Sequence, residues 1–250
     1  MKNNTNNKLG VIILAAGKGT RMKSSLPKVI HKVLNETMIS RVVSQAKSVG
    51  AEKIIVVVGY KKELVIDALK NKDVEFAIQS EQLGTGHAIK MTKDNFNSWN
   101  GDILILSGDV PLLTTATIEK LIKKHNEEKA DATVLSAIFE DPTGYGRIIR
   151  KDDDTYSYSV EEKDANDKEK KIKEINSGIY IFKSKHLFHY LRFINNDNAQ
   201  SEYYLTDVVP MMVAENKKVF LQVANDPNEI QGVNTVQQLK DAENKLRRRR

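Results

Sequence analysis

Leu9-Gly-Val-Ile-Ile-Leu-Ala-Ala-Gly-Lys-Gly-Thr-Arg-Met22 is an apolar run that ends in glycines and cations. Its first six residues, Leu9 to Leu14, carry no charge and stop at small residues, which reads as a strand covered on both faces. Gly17 and Gly19 let the backbone approach a ligand closely, and successive free N–H groups can ring an anion. Lys18, Arg21 and Lys28 add positive charge at the same end. The segment outlines a polyphosphate site, with a plain strand-to-helix turn carrying exposed lysines as the competing reading. Two familiar phosphate loops are excluded. A Walker loop needs Gly, four residues, then Gly-Lys-Ser/Thr, whereas Gly10 lies seven before Gly17 and Lys18 is followed by Gly19. The dinucleotide fingerprint needs a third glycine where Met22 stands.

Outward from this strand, short apolar runs at 53–58, 74–78, 102–106 and 132–139 alternate with helical spacing in Met38, Val42, Val43, Ala46 and Val49, in Leu64, Ile66 and Leu69, and in Ile118, Leu121 and Ile122. That cadence predicts crossover units and a mostly parallel sheet flanked by helices, an α/β class. The pattern changes after Asp141: strands are expected at 147–150, 156–160 and 179–182 around a charged loop at 161–174. Helices at 185–193 and 206–215, a strand at 219–223 and a last helix from about 235 complete the reading. No repeat of 20 to 50 residues and no hexapeptide repeat is present. The expected organisation is one domain over 1–234 with a long insertion in its second half, then a helical extension over 235–250.

The 250 residues include no cysteine, which excludes a disulfide scaffold, a thiolate zinc site and a thiol nucleophile. The longest apolar runs, 11–16 and 54–58, fall far below the roughly 18 to 20 residues of a membrane span. The Asn-rich start, residues 1–8, lacks the apolar stretch of a signal peptide, so a cytoplasmic protein is expected. The net charge is +6, yet without the arginines at 247–250 the balance is 35 basic to 33 acidic residues. Without Lys18, Arg21, Lys23 and Lys28 as well, it is 31 to 33. The basicity is therefore local, pointing to an anionic substrate and away from nucleic acid or a membrane. A basic RNA-binding protein is the remote alternative, and it lacks aromatics interleaved on a basic face.

Leu14 to Met22, with Leu26-Pro27-Lys28, resembles the signature loop of the sugar-nucleotide pyrophosphorylases, nucleotidyltransferases of the glycosyltransferase-A-like, Rossmann-like fold. More narrowly, the chain is similar to the uridylyltransferase domain of the bacterial N-acetylglucosamine-1-phosphate uridyltransferase family. The stretches that carry this are Gln79-Ser-Glu-Gln-Leu-Gly-Thr-Gly-His-Ala88, Gly108-Asp-Val-Pro111, Gly144-Tyr-Gly-Arg-Ile148, Val160-Glu-Glu-Lys-Asp-Ala165, Ile175-Asn-Ser-Gly-Ile-Tyr180, Asn198-Ala-Gln-Ser-Glu-Tyr-Tyr-Leu-Thr-Asp207 and Gly232-Val-Asn234. They run in family order from about residue 9 to residue 234.

The resemblance implies attack of an N-acetylglucosamine 1-phosphate oxygen on the α-phosphorus of UTP, giving UDP-N-acetylglucosamine and pyrophosphate for cell-wall and lipopolysaccharide precursors. A phosphate nucleophile is already anionic, so alignment and charge neutralisation suffice and no Ser/His/Asp device is needed. It implies catalytic roles for Arg21, Lys28 and Asp109, and Mg²⁺ held by Asp109 and Asn234, which otherwise read as a turn residue and a helix N-cap. Leu14, Ala15, Ala16, Gly17, Lys28, Gln79, Gln82, Gly84 and Thr85 are expected around the nucleotide, with an N-cap at Thr85 as the bland reading and His87 packing on the helix. A sugar site with Ser107, Gly108, Gly146, Glu161, Asn176, Tyr204 and Thr206 is expected in the β-rich second half, although Glu161-Glu162-Lys163 by itself reads as an exposed charge run. Ser107 departs from the family, which often has an aromatic residue there, and this loosens the expected selectivity; another sugar 1-phosphate, such as glucose 1-phosphate, is the close alternative. Many members carry a C-terminal β-helix acetyltransferase that also builds their trimer. No such repeat is present, so acetyl transfer is not expected and homo-oligomerisation is left open.

Overall fold

The computed structural model describes residues 8–249. The leader reading, apart from Lys8, and Arg250 of the basic tail lie outside the described residues. The strands are β1 (Leu9–Ala15), β2 (Lys32–Val33), β3 (Glu36–Thr37), β4 (Lys53–Val58), β5 (Glu75–Ile78), β6 (Asp102–Ser107), β7 (Ala132–Ile138), β8 (Gly146–Arg150), β9 (Tyr156–Val160), β10 (Glu174–Lys183) and β11 (Val219–Val223). The α-helices are α1 (Met38–Ser48), α2 (Lys62–Ala68), α3 (Thr85–Lys90), α4 (Thr115–Glu127), α5 (Ser184–Tyr190), α6 (Val208–Ala214) and α7 (Val236–Arg248).

The main sheet has the order β11-β7-β10-β6-β1-β4-β5. Along this path only β10 runs against its neighbours, so the sheet is mostly parallel, as the strand–helix cadence predicts. β8 and β9 form an antiparallel ribbon hung on β10. β1 lies centrally between β6 and β4, and the period of two divides its side chains between two cores. Val11, Ile13 and Ala15 join α1, α2 and α4 on one face, while Ile12 and Ala16 join α3, α5 and α6 on the other. The same alternation in Ile54-Ile55-Val56-Val57-Val58 explains why these strands read as continuous apolar runs.

Several expected boundaries need correction. β10 is ten residues long, beginning at Glu174, because a register shift between Asn176 and Ile179 carries the strand through polar residues that break the apolar run. The helix expected over 185–193 ends at Tyr190, and the one over 206–215 opens with a 3₁₀ turn at Leu205–Asp207. The β2–β3 hairpin was not foreseen; its turn places Leu34 and Asn35 at φ 49° and 68°. α7 packs Ala242 and Leu246 against Met22, Val33, Met38 and Leu112 in a third apolar cluster.

Candidate functional site

The C-terminal ends of β1 and β6 face one another, with Gly108 N donating to Leu14 O at 2.9 Å. Past β1 the chain turns at Gly19, which has φ 67°, and a Cβ there would meet Lys28 Cβ at 2.5 Å. Glycine therefore lets Lys28 pass against the loop. Lys28 Nζ is bonded to Asp109 Oδ2, and to Asn234 Oδ1 at 2.7 Å. These residues lie 81 and 206 positions away from Lys28. The loop before α7 is itself tied to Asp109, since Val233 N donates to Asp109 O at 2.9 Å. Asn234 is not the N-cap of that helix: Thr235 is, in a capping box with Gln238, which leaves the Asn234 amide oxygen for Lys28.

A carboxylate and an amide oxygen thus converge on one ammonium. Such a donor pair suits a hard divalent cation that keeps most of its waters. Among the described residues no group of three or more His, Cys, Asp or Glu is disposed to hold a metal, so a cation site here rests on few protein ligands. Arg21 is exposed and, among the described residues, has no ion-pair partner. Lys18 lies over the Tyr60 ring, 5.6 Å from its centroid.

Two adjoining cavities open at these strand ends, of about 280 Å³ and about 180 Å³. The first is lined by Leu14, Ala15, Ala16, Gly17, Lys28, Gln79, Gln82, Gly84, Thr85, Ser107 and Asp109. Gly146, Glu161, Asn176 and Thr206 line the second, and Leu14, Thr85 and Ser107 are shared by both. All the residues expected around a nucleotide thus meet in one cavity, and five of those expected around a sugar, Ser107 among them, meet in the next. Gly108 and Tyr204 line neither. A Cβ on Gly108 would meet Ile39 at 2.9 Å, and the Tyr204 hydroxyl is taken by Asp164 and Gln200. A cavity of about 320 Å³ at the opposite end of β4 and β5 holds none of these residues, and its Lys53 and Glu75 are paired with each other.

The wall between the sites is built from two distant segments. Gly86 N donates to Tyr203 O at 2.7 Å, Tyr203 N to Leu83 O at 2.8 Å, and Leu205 N to Thr85 Oγ1 at 3.0 Å. The N-cap of α3 is Gly84 and not Thr85, a correction that follows from Thr85 spending its hydroxyl on Leu205. Gln79 is buried, and its Nε2 lies 3.0 Å from Gly84 O and 3.1 Å from His87 Nδ1. Asn176 donates to the Tyr180 hydroxyl at 2.6 Å and accepts from Gly178 N at 3.2 Å.

Acidic groups gather around Glu161, the one carboxylate among the described residues that lines the second cavity. Glu161 and Glu162 are half-buried, which corrects the solvated reading for these two, while Lys163 is exposed; Thr206 donates to Glu161 at 3.3 Å. Burial pushes its carboxyl above the usual range, helped by the charges of Asp164, Asp207 and Glu202. Asp207 is raised to about 6, by burial first and Asp164 second. Sequence reasoning missed several residues here. Glu202 lines the first cavity, while Tyr145, Ser177, Gly178 and Tyr180 line the second. It also missed Arg147, the buried guanidinium that ties Tyr145 O to Glu162 and Lys170 O. Its place in Gly144-Tyr-Gly-Arg-Ile148, beside a cavity glycine, was the only signal.

A glycine-rich loop at the end of the central strand, Lys28 passing against it and a two-part cleft at the carboxyl edge of the sheet have the form of the sites in which open α/β sheets take phosphorylated ligands. Residues 10–245 match the nucleotidyl transferase family model, and the chain belongs to that family. The bifunctional protein GlmU of Streptococcus uberis is 49% identical over 238 residues, covering 95% of this chain and 52% of the relative. The bifunctional protein GlmU of Staphylococcus carnosus is 46% identical over the same length, with the same two coverages. The chain thus spans about half the length of the curated relatives it matches. A solved structure of UDP-glucose pyrophosphorylase complexed with UDP-glucose matches with a TM-score of 0.75 at 18% identity, over 97% of this chain and 100% of that one, a likeness of fold.

Proposed function

We propose that this chain transfers UMP from UTP to N-acetylglucosamine 1-phosphate, releasing pyrophosphate and UDP-N-acetylglucosamine. The observation that carries the proposal is the pair of cavities sharing Leu14, Thr85 and Ser107, with Asp109 and Lys28 lining the first. In this reading the nucleotide fills the first cavity and the sugar the second, so that the α-phosphorus and the attacking phosphate oxygen meet at the shared wall. The new bond joins that oxygen to the α-phosphorus, and the bond to the bridging oxygen of the β-phosphate breaks, its electrons leaving with pyrophosphate.

Leu14 to Gly17 offer backbone groups to the nucleoside, and Arg21 and Lys28 bind the phosphates as charge shifts toward pyrophosphate. Asp109 and Asn234 would hold Mg²⁺, which when bound neutralises the triphosphate and favours departure of pyrophosphate. Glu161 accepts hydrogen bonds from sugar hydroxyls, and its burial strengthens them. Gly146 leaves space for the ring, since a Cβ there would crowd Val160 O at 3.2 Å and Glu161 at 3.4 Å. Asn176 is held by Gly178 and Tyr180 at the cavity wall.

The reading assigns 1–234 to the nucleotidyltransferase domain and 235–250 to a helical extension, in a cytoplasmic enzyme that makes cell-wall precursors. No helix among the described residues is long and apolar enough to cross a membrane. Acetyl transfer is not ascribed to this chain, and a homo-oligomer is compatible with the reading.

The test is pyrophosphate release with Mg²⁺, four nucleoside triphosphates and a panel of sugar 1-phosphates. The highest kcat/KM is expected for UTP with N-acetylglucosamine 1-phosphate, and greater efficiency with another pair overturns the assignment. Asp109→Ala is expected to lower kcat by at least about 100-fold while leaving the circular dichroism unchanged; full activity in that variant removes the cation role.

A further inference from the structure

We infer that His87 is a positioning residue that fixes which end of the Gln79 amide faces the nucleotide cavity, and thereby selects uridine over cytidine. The inference rests on the proposed reading that the nucleotide fills the cavity Gln79 lines, and sets the base against the Gln79 amide. An amide side chain offers a carbonyl acceptor at one end and a two-hydrogen donor at the other, in nearly the same shape. Gln79 Nε2 has two acceptors, Gly84 O at 3.0 Å and His87 Nδ1 at 3.1 Å. The Gly84 carbonyl can only accept, so the amide nitrogen is the end beside it, and His87 Nδ1, facing the second hydrogen, then acts as acceptor in the tautomer protonated on Nε2. What Gln79 has left, on a residue only 3% exposed that lines the nucleotide cavity, is Oε1.

Turning the amide over would set Oε1 against the Gly84 carbonyl and, with His87 protonated on Nε2, against the Nδ1 lone pair as well. The Watson–Crick edge of uracil carries N3–H between two carbonyls, whereas cytosine carries an N3 lone pair between an amine and a carbonyl. An acceptor at Gln79 matches the first and opposes the second. The histidine is itself held. Its ring lies 6.4 Å from that of Tyr203, whose face carries Lys90 Nζ at 4.4 Å from the centroid. Tyr203 O in turn accepts from Gly86 N, one residue before His87.

The experiment compares kcat/KM for UTP and CTP, with N-acetylglucosamine 1-phosphate, in the wild type, His87→Leu and His87→Asn. Leucine removes the acceptor, while the asparagine Oδ1 restores one at the position of Nδ1. Because Gly84 O still holds one hydrogen, His87→Leu is expected to lower the UTP:CTP ratio about tenfold, not to erase it. His87→Asn is expected to stay within about threefold of the wild type. The ratio is taken within one preparation, so a change in the folded fraction cancels. Should His87→Leu not fold, His87→Met fills similar space without a comparable acceptor and answers the same question. An unchanged ratio in the apolar variant, or an equal fall in His87→Asn, overturns the inference. A wild type that shows no UTP-dependent turnover overturns the parent reading instead.

Discussion

Gly84→Ala probes the seam on which the first cavity is built. Gly84 has φ 101° and ψ 175°, a region that side chains enter only at a cost of about 1–3 kcal/mol. An added Cβ would also meet Tyr203 O at 2.6 Å, Glu202 Cβ at 2.8 Å and Tyr203 N at 2.9 Å. Both Tyr203 backbone atoms are held, by Gly86 N and Leu83 O, so this neighbour gives way only by breaking hydrogen bonds. Overpacking of this kind adds about 1–3 kcal/mol, against about 0.4–1 kcal/mol gained by stiffening the unfolded chain. The net is about 3 kcal/mol, a fall in Tm of about 6–12 °C at this chain length. Two other glycines separate strain from crowding. Gly144 has φ 84° with nothing within 4 Å of its added Cβ, so alanine there meets strain alone, about 1 kcal/mol. Gly17 has neither problem, so its alanine variant is expected to melt at or slightly above the wild type. Thermal melts of the three variants, with KM for UTP alongside, make the test. Gly84→Ala melting within about 2 °C of the wild type, or no lower than Gly144→Ala, would refute the reasoning.

Arg147→Lys removes the planar fork that joins Tyr145 O to Glu162 Oε2, and Glu162 also accepts from Gly144 N. It is expected to raise KM for the sugar phosphate about 10- to 100-fold with KM for UTP little changed; equal changes in both would show a general defect. Asp207, raised to about 6 mainly by burial, holds more protons when folded than in the unfolded chain between about pH 4 and 6. Its contribution to stability is therefore best below that window and falls as pH rises through it. Asp207→Asn is expected to melt higher than the wild type at pH 7.5, with the gap closing near pH 4. A gap that widens in acid would reverse the sign.

The central strands were legible because burial on both faces leaves apolar runs with no other use, as in Ile54-Ile55-Val56-Val57-Val58. β10 was legible only in its apolar half, since Asn176, Ser177 and Gly178 occupy the irregularity that lines the second cavity. The β2–β3 turn hid because Leu34 stands at positive φ, where glycine or asparagine is the usual signal. For the site, motif order brought forward Lys28, Asp109 and Asn234, but no local pattern shows that they meet across 81 and 206 residues. Arg147 and His87 were passed over for a shared reason. Arg147 read only as the start of a strand and His87 as packing on its helix, and only the partners of the guanidinium and the ring nitrogen reveal otherwise.

The strand order also constrains when the cleft can come into being. β10 lies between β6 and β7, although it is made after both. A nascent chain that has emerged only through β7 holds the glycine-rich loop and Asp109, but β6 and β7 each present a bare edge where β10 will dock. Such edges invite pairing with other chains. Asn234 is made later still, after β11. Glu202 is the last-made residue lining the first cavity and Thr206 the last lining the second, so neither lining is whole until that part of the chain exists, and pairings of such long sequence separation slow folding. Fragments ending before residue 174 are expected to aggregate, and slow emergence of the segment from β8 to β10 would prolong the period in which the half-built sheet is most exposed.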